Sequence, residues 1–343
     1  MTDLSIIIPM YNGKAYIEST VNEICKISCS KEILIIDDGS KDKSYEFAVE
    51  QFKNTDYIKV LKKPNGGIAD TRNFGLNNAI GDFILFVDQD DRVNPKTIEK
   101  AVLSMKESSY SAVMWTTMFE YVDGTSRVCD DVKKEQIANR QVIVDNIIPD
   151  MLSREVNEYT SYPGHVWGGL FRRGLINNKQ IRFKRFVDYE DDLLFVFDYL
   201  LQSDNILFIP VIGYYWKTNP NSYSHAFNYV ENYIEKSELL RKYIEHEYLL
   251  ATGRNLNESI VSYFKQYTII GAIKNACGVG NKGKSDVIEI EKKSKEDKYI
   301  RAFRNGNAHI RDRRERITYR LISLGLVRIA VLLAKKYYAI RNR

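Results

Sequence analysis

The chain has 343 residues, 44% of them hydrophobic and 28% charged, with a formal net charge of +5. That length can bury a sizeable core in one large or two ordinary domains, and the composition excludes wholesale disorder. Cys25, Cys29, Cys129 and Cys277 are too few for a disulfide scaffold and lack CxxC spacing or neighbouring histidines, so reduced thiols of a cytosolic protein are expected.

The opening MTDLSIIIP has no basic stretch ahead of a long apolar core, so no secretory leader is expected. The first hundred residues then alternate strand and helix signals. Leu4 to Pro9 reads as a short buried strand, and Lys14 to Ile27 places Tyr16, Ile17, Val21, Ile24 and Cys25 at helical spacing. Glu32 to Ile36 is a second strand, broken at Asp37-Asp38-Gly39-Ser40. A helix from about Lys43 to Phe52 leads to a third strand, Tyr57 to Leu61. The turn Pro64-Asn65-Gly66-Gly67 precedes a helix near Ala69 to Ala79, and Phe83 to Val87 is a fourth strand. Near-continuous apolar strands between helices predict a mostly parallel α/β sheet covered on both faces.

Residues 110–225 are less regular. Ala112 to Phe119 and Ile206 to Ile212 read as strands, the second leaving through Tyr214-Tyr215-Trp216. Between them lie His165-Val-Trp167-Gly168-Gly169 and the acidic run Asp188-Tyr189-Glu190-Asp191-Asp192, which opens an amphipathic helix. From about Phe227 the patterns are helical, with a Gly/Lys-rich break near 278–285. The expected organisation is an α/β catalytic domain over 1–225 and a helical region over 226–343.

In open α/β sheets ligands bind beyond the carboxyl ends of the strands. The polar clusters fall there: Pro9-Met-Tyr11-Asn12, Asp37-Asp38 and Asp88-Gln-Asp90-Asp91. The last lies in FVDQDDR, where three carboxylates within four positions repel one another unless a cation or a set of donors sits among them. Helix capping needs only one such group, and Asn94 ahead of Pro95 supplies it. A D-x-D turn after a buried strand can instead hold Mg²⁺ or Mn²⁺ through oxygen ligands while leaving room for phosphates. Glu190-Asp191-Asp192 suits a helix N-terminus, where acids complement the macrodipole, and a carboxylate held there over a cleft can act as a general base.

Other chemistries lack support. Gly278-Val-Gly-Asn-Lys-Gly283-Lys284-Ser285 fits the phosphate-loop string, but a helical stretch precedes it where that motif needs a buried strand. No G-x-G-x-x-G follows the first strand and no G-x-S-x-G elbow is present. Recognised nucleic-acid-binding motifs are missing too, so no nucleic-acid partner is expected.

The ordered pieces Ser5-Ile-Ile-Ile-Pro9-Met-Tyr11-Asn12, Ile35-Ile-Asp37-Asp38-Gly39-Ser40, Asn65 to Gly75, Gly81 to Asp91, Trp167 to Arg173 and Tyr189-Glu190-Asp191-Asp192 resemble family 2 glycosyltransferases of the GT-A fold, over about residues 3–225. The resemblance implies a Rossmann-like sheet flanked by helices. It also implies inverting transfer from a nucleotide-sugar, such as a UDP-sugar, to a glycan acceptor that is often lipid-linked, in surface polysaccharide synthesis. Pro9, Tyr11 and Asp38 would line the nucleotide pocket and Arg72 would face the nucleotide. Asp88 would contact the sugar–ribose region, and Asp90 and Asp91 would hold Mn²⁺ or Mg²⁺ on the diphosphate. Asp191 would deprotonate the acceptor hydroxyl, although the acidic run allows a shift by one residue. Thr71 stands where the family often has Ala, and Trp216-Lys217 precedes Asn221-Ser222 where an arginine is common, leaving Lys217 or His225 as substitute phosphate contacts. A GT-A-like scaffold subunit without catalysis is the alternative.

The charge is unevenly placed. Residues 311–343 hold ten lysines and arginines against Asp312 and Glu315, a net +8, whereas residues 1–310 hold 40 basic and 43 acidic residues, a net −3. Leu321 to Ala334 is mostly apolar, too short to span a bilayer and flanked by these cations. It is expected to form a basic amphipathic helix lying on the inner face of the cell membrane, or else packing on the catalytic domain or on a second copy in a homodimer.

Overall fold

The computed structural model describes residues 2–129, 131–153, 164–186, 189–218, 229–277, 284–305 and 313–341. Asp188, Asn221-Ser222, His225 and Gly278 to Gly283 lie outside the described residues. Two compact units emerge, Met1–Arg185 with Tyr189–Asn219, and Phe186–Asp188 with Pro220–Arg343.

The first unit is α/β. β1 (Leu4–Met10), β2 (Lys31–Asp37), β3 (Ile58–Lys62) and β4 (Phe83–Phe86) alternate with α1 (Ile17–Cys25), α2 (Ser44–Phe52) and α3 (Ile68–Asn78). β5 (Arg92–Val93), α4 (Pro95–Glu107), β6 (Ala112–Glu120), β7 (Ser126–Val128) and β8 (Gln136–Asn139) follow. A helical run then joins α5 (Arg140–Val142) to α6 (Ile148–Ser153) through a π turn at Ile143–Ile147. β9 (Gly169–Arg172), α7 (Arg173–Asn178), α8 (Asp191–Leu201) and β10 (Asn205–Lys217) complete the unit.

The described strands form one sheet in the order β3-β2-β1-β4-β9-β6-β10-β5, with β7 on β6 and β8 on β10. β1 pairs in parallel with β2 and β4, β2 with β3, and β6 with β10. β9 lies antiparallel between β4 and β6, so those two run the same way. The carboxyl ends of β1, β2, β3, β4, β6 and β10 therefore share one edge, which is where such sheets bind ligands. All seven residues of β1 are buried, as both-faced covering by helices requires.

Short elements in 110–225 depart from the sequence expectation. β5, β7, β8 and β9 are antiparallel additions of two to four residues, too short for a periodic signal. β10 runs without a break through the aromatic exit, with register shifts against β6 between Ile209 and Tyr214. Arg172 and Arg173 explain their place in the Trp167–Arg173 piece by structural bonds. Arg172 donates to the carbonyls of Met105, Ser108 and Tyr110, and Arg173 to those of Ile80 and Gly81. Each thus satisfies carbonyls at the ends of α4 and of the β4 approach, which would otherwise lack partners.

The second unit is helical: α9 (Tyr233–Thr252), α10 (Glu258–Cys277), α11 (Lys284–Ser294), α12 (Asp297–Asn305), α13 (Arg313–Ser323) and α14 (Val327–Arg341). Ile234, Ile269, Ile273, Ile290, Tyr299 and Phe303 form its core together with Ile322, Val327, Ala330 and Val331 of the tail. The expected single helix from Leu321 to Ala334 is two helices. The chain turns at Leu324-Gly325-Leu326, where Gly325 has φ +77°, a conformation that costs glycine little and other residues much.

Candidate active site

At the carboxyl end of β4 the chain makes a tight turn, with the Asp91 amide donating to the Asp88 carbonyl at 3.2 Å. Three clamps hold it. Thr20 Oγ1 lies 2.9 Å from both the Gln89 and Asp91 carbonyls. Gln89 grips the Tyr11 backbone from both sides, accepting from its amide at 3.0 Å and donating to its carbonyl at 3.1 Å. The Asp91 carboxylate, 1% exposed, accepts from the Tyr214 hydroxyl at 2.7 Å and the Lys217 amide at 2.8 Å. Both Asp91 oxygens thus already have protein donors, whereas Asp88 and Asp90 are half-buried at the outer part of the turn. Just beyond, Asn94 caps α4 by accepting from the Thr97 amide, as its place before Pro95 predicts.

Tyr214 has a second role. Its hydroxyl oxygen accepts from the Asp88 amide at 3.1 Å, so one side chain ties both ends of the aspartate turn. Its ring stacks on Trp167, with centroids 5.0 Å apart, and Trp167 stacks on His165 at 4.2 Å. The WGG segment and the end of β10 thereby support the turn from beneath.

Arg72 brings the two acidic foci together. It lies on α3, is 4% exposed, and donates to Asp88 at 3.1 Å, to Asp191 at 3.2 Å and to Asp192. Phe183 lies against its guanidinium at 5.3 Å. Burial alone would lower the Arg72 pKa, but Asp192, Asp88 and Asp191 outweigh it and keep the arginine charged. Asp191 and Asp192 occupy the first turn of α8, reached through Glu190 at φ +58°. Burial raises the pKa of both despite Arg72, that of Asp192 to about 7. Burial likewise raises Asp91, reinforced by Asp88 and Asp90. One guanidinium against Asp88, Asp191 and Asp192 leaves a net −2 when all are ionised, so the site holds surplus negative charge.

The loop ends of β1 and β2 supply the other wall. Asp38 is 5% exposed and accepts from Lys63, from the Gly66 and Gly67 amides at 2.9 Å, and from Asn65 at 3.2 Å. These donors fill the lone-pair capacity of a carboxylate, so Asp38 shapes the 63–67 loop as well as facing the cleft edge. Gly67, with φ +83°, lets that loop turn directly into α3 and deliver Arg72. Asn12 joins the two loops, its amide donating to Ser40 Oγ and its side chain accepting from the Lys41 amide. Pro9 is buried in β1, and Tyr11 is 43% exposed at its end.

The expected residues therefore gather at one edge: Tyr11 through Gln89, and Asp88 and Asp191 through Arg72. Gln89, Lys63 and Asn65 have roles that no sequence pattern signals, as does Arg92, which pairs twice with Glu120 and lies 3.4 Å over the Tyr215 ring. Tyr214 joins them as a support. A signal did exist for Tyr214, in the two tyrosines leaving an apolar strand.

A mostly parallel sheet with acidic foci at its carboxyl edge is an α/β unit of the ligand-binding kind, as the GT-A fold is. Residues 5–168 match the model of glycosyl transferase family 2, so this region of the chain is similar to that family. The uncharacterized glycosyltransferase EpsJ of Bacillus subtilis is 24% identical over 296 residues, covering 84% of this chain and 81% of that protein. The poly(ribitol-phosphate) beta-N-acetylglucosaminyltransferase TarS of Staphylococcus aureus is 28% identical over 247 residues, covering 70% of this chain and 40% of that protein. The crystal structure of S. aureus TarS 1-349 in complex with UDP-GlcNAc superposes with a TM-score of 0.68 at 20% identity, over 98% of this chain and 92% of that one. The fold is shared across that length.

Proposed function

We propose that this protein is an inverting glycosyltransferase that moves a sugar from a nucleotide-sugar of the UDP type to a hydroxyl of a surface glycan. The observation that supports it most is the triple engagement of Arg72, which gathers Asp88, Asp191 and Asp192 around one buried cation, in this reading with Asp88 on the donor side and Asp191 on the acceptor side. The TarS complex with UDP-GlcNAc supports the donor class.

In this reading Tyr11 and Asp38 border the base and ribose, and Asp88 orients the sugar. Asp191 accepts the proton of the acceptor hydroxyl as its oxygen bonds to the anomeric carbon and the bond to the diphosphate breaks on the opposite face. The raised pKa of Asp191 makes it a stronger base than an exposed aspartate, which suits that step. Arg72 holds Asp191 and Asp192 in place and steadies the charge that moves among them.

A divalent cation fits the donor set. Among the described residues no group of three or more His, Cys, Asp or Glu could hold a metal alone. Asp90, with Asp88, could hold Mn²⁺ or Mg²⁺ that completes its shell with diphosphate oxygens and water, as such ions commonly do. When bound, the ion offsets charge developing on the leaving diphosphate. Asp91, spent on Tyr214 and Lys217, positions the turn beneath it.

The proposed setting is the inner face of the cell membrane, with a lipid-linked acceptor. Among the described residues no helix is long and apolar enough to cross a membrane. The test is a thermal-shift panel of nucleotide-sugars with and without Mn²⁺, followed by transfer assays with the donor that shifts. A UDP-sugar is expected to raise the melting temperature more with Mn²⁺ present. No shift with any nucleotide-sugar would remove the proposal.

A further inference from the structure

The helical unit carries an apolar surface that its own core does not use. Val327, Ala330, Val331 and Ala334 line one side of α14 and are buried against α10 and α11. The opposite side presents Ile329, Leu332 and Leu333, which are 46%, 66% and 47% exposed. At the turn before α14, Leu324 and Leu326 are 71% and 42% exposed. Among the described residues nothing covers this outward run of apolar side chains, which a helix ordinarily buries.

The cations decide what covers it. Exposed Lys336 falls between Leu332 and Leu333 on the outward side of α14, and exposed Arg320 sits one turn before Leu324 on α13. The stretch 311–343 has a net charge of +8. A two-fold contact between copies would set the exposed Lys336 and Arg320 against their own counterparts, at a cost that grows with burial. An anionic lipid surface instead takes the leucines into its acyl boundary and meets the lysines and arginines with phosphate.

We infer that the Leu324–Leu326 turn and the Ile329/Leu332/Leu333 side of α14 form a shallow membrane-docking face for anionic lipid. This sharpens the membrane attachment within the proposed function but concerns a surface apart from the donor site. Penetration is limited to side chains, because the opposite side of α14 stays in the protein core.

The experiment is co-sedimentation of the full chain with vesicles of phosphatidylcholine alone or with 30% phosphatidylglycerol as a set composition, roughly matching the strong charge dependence of such surfaces. Binding to the anionic vesicles only, weakened by high salt, is expected. The double substitution Leu332→Glu with Leu333→Glu should lower the partition coefficient at least about tenfold, since it removes apolar burial and adds repulsion. Both residues lie outside the core, and circular dichroism checks that the variant folds. Lys336→Gln provides a milder second variant, expected to lose about threefold to fivefold, near the effect of one surface charge. Equal binding of wild type and double variant overturns the inference, as does absence of binding. Concentration-dependent dimers that the double variant abolishes overturn it in favour of a second copy. UDP-sugar thermal shifts are read without vesicles on both proteins. Their absence sinks the catalytic proposal and leaves the docking result standing.

Discussion

One buried carboxylate at the amino end of the sheet and a cluster of carboxylates at its carboxyl end are biased in opposite directions. At the amino end, Glu32 accepts from Ser5 at 2.6 Å, from the Ile80 amide at 2.7 Å and from Lys59 at 3.0 Å. Burial pushes its pKa up, but these donors outweigh burial and hold it below the usual range. At the carboxyl end burial wins: Asp91, Asp191 and Asp192 are all raised. The residue types barely differ. What differs is the ratio of donors to charges: surplus donors around Glu32, surplus carboxylates around Arg72. The first arrangement stabilises a fold, and the second is a cost that evolution retains where a cationic or polar ligand completes the set.

The largest expected effect follows from removing the buried cation that joins Asp88 to Asp191 and Asp192. Arg72→Met leaves Asp88, Asp191 and Asp192 facing one another, and breaking such a buried set typically costs about 3–5 kcal/mol. Transfer should fall by at least about a hundredfold, since both donor and acceptor sides lose their anchor. The pH dependence has a definite sign. Carboxyls raised in the folded state bind protons that the unfolded chain has released, so their contribution to stability falls as pH rises between about 4 and 7. Without Arg72 that fall should steepen, and melting curves across this range measure it. A variant that melts like wild type at every pH would break the comparison outright.

Asp191→Asn tests the division of labour within the acidic end. Loss of a general base lowers transfer by about 10²- to 10⁴-fold while UDP-sugar binding persists. Asp192→Asn should cost less, about tenfold, because Asp192 serves to hold Arg72. The ratio of rate to donor affinity separates the two, and the reversed ranking would move the base to Asp192.

This acidic end was more legible in the sequence than its supports were. Strands β1, β2 and β4 announced themselves as near-continuous apolar runs with Asp38, Asp88 and Asp90 in the polar clusters that ended them, and Asp191 stood out in the acidic run ahead of a helix. Arg72 was visible, but its pairing with Asp191 and Asp192, 119 and 120 positions further along the chain, was not, since only the fold brings α3 to the start of α8. Gln89 looked like a spacer within D-Q-D-D. Only the fold shows that its amide matches the Tyr11 backbone from both sides. The antiparallel strand β9 was hidden because four residues cannot show a period. In the tail the apolar segment was plain, but a single glycine at positive φ made two helices where hydrophobicity suggested one.

Glu32→Gln sharpens the comparison from the other end. The substitution removes the charge that Lys59 and the Ser5 hydroxyl meet, and about 1–3 kcal/mol of stability should be lost at pH 7. A carboxylate depressed in the folded state gives stability that is present in full above the usual glutamate range of about 4.3 and disappears as pH falls through its lower folded value. The difference between variant and wild type should therefore shrink in acid; what runs opposite is the wild-type contribution itself, which rises with pH for Glu32 and falls with pH for the raised carboxyls around Arg72. Transfer by the folded variant should be unchanged, because none of its partners reaches the carboxyl edge.

The smallest effect concerns the bridge between fold and site. Tyr214→Phe keeps the stack on Trp167 but deletes the hydroxyl that donates to Asp91 and accepts from Asp88. Asp91 then loses one of its two donors inside the core, which costs about 1–2 kcal/mol. The Asp88 amide is freed as well, so the turn loosens without losing any group that touches substrate. A positioning role predicts about a tenfold loss of kcat with donor KM altered less, since misalignment affects the transition state more than initial binding. Trp167→Leu, which removes the ring beneath Tyr214 but leaves its hydroxyl, should fall in the same kinetic class with a smaller loss. If Trp167→Leu impairs transfer while Tyr214→Phe does not, the aromatic stack itself contacts the acceptor and the hydroxyl bridge is only structural.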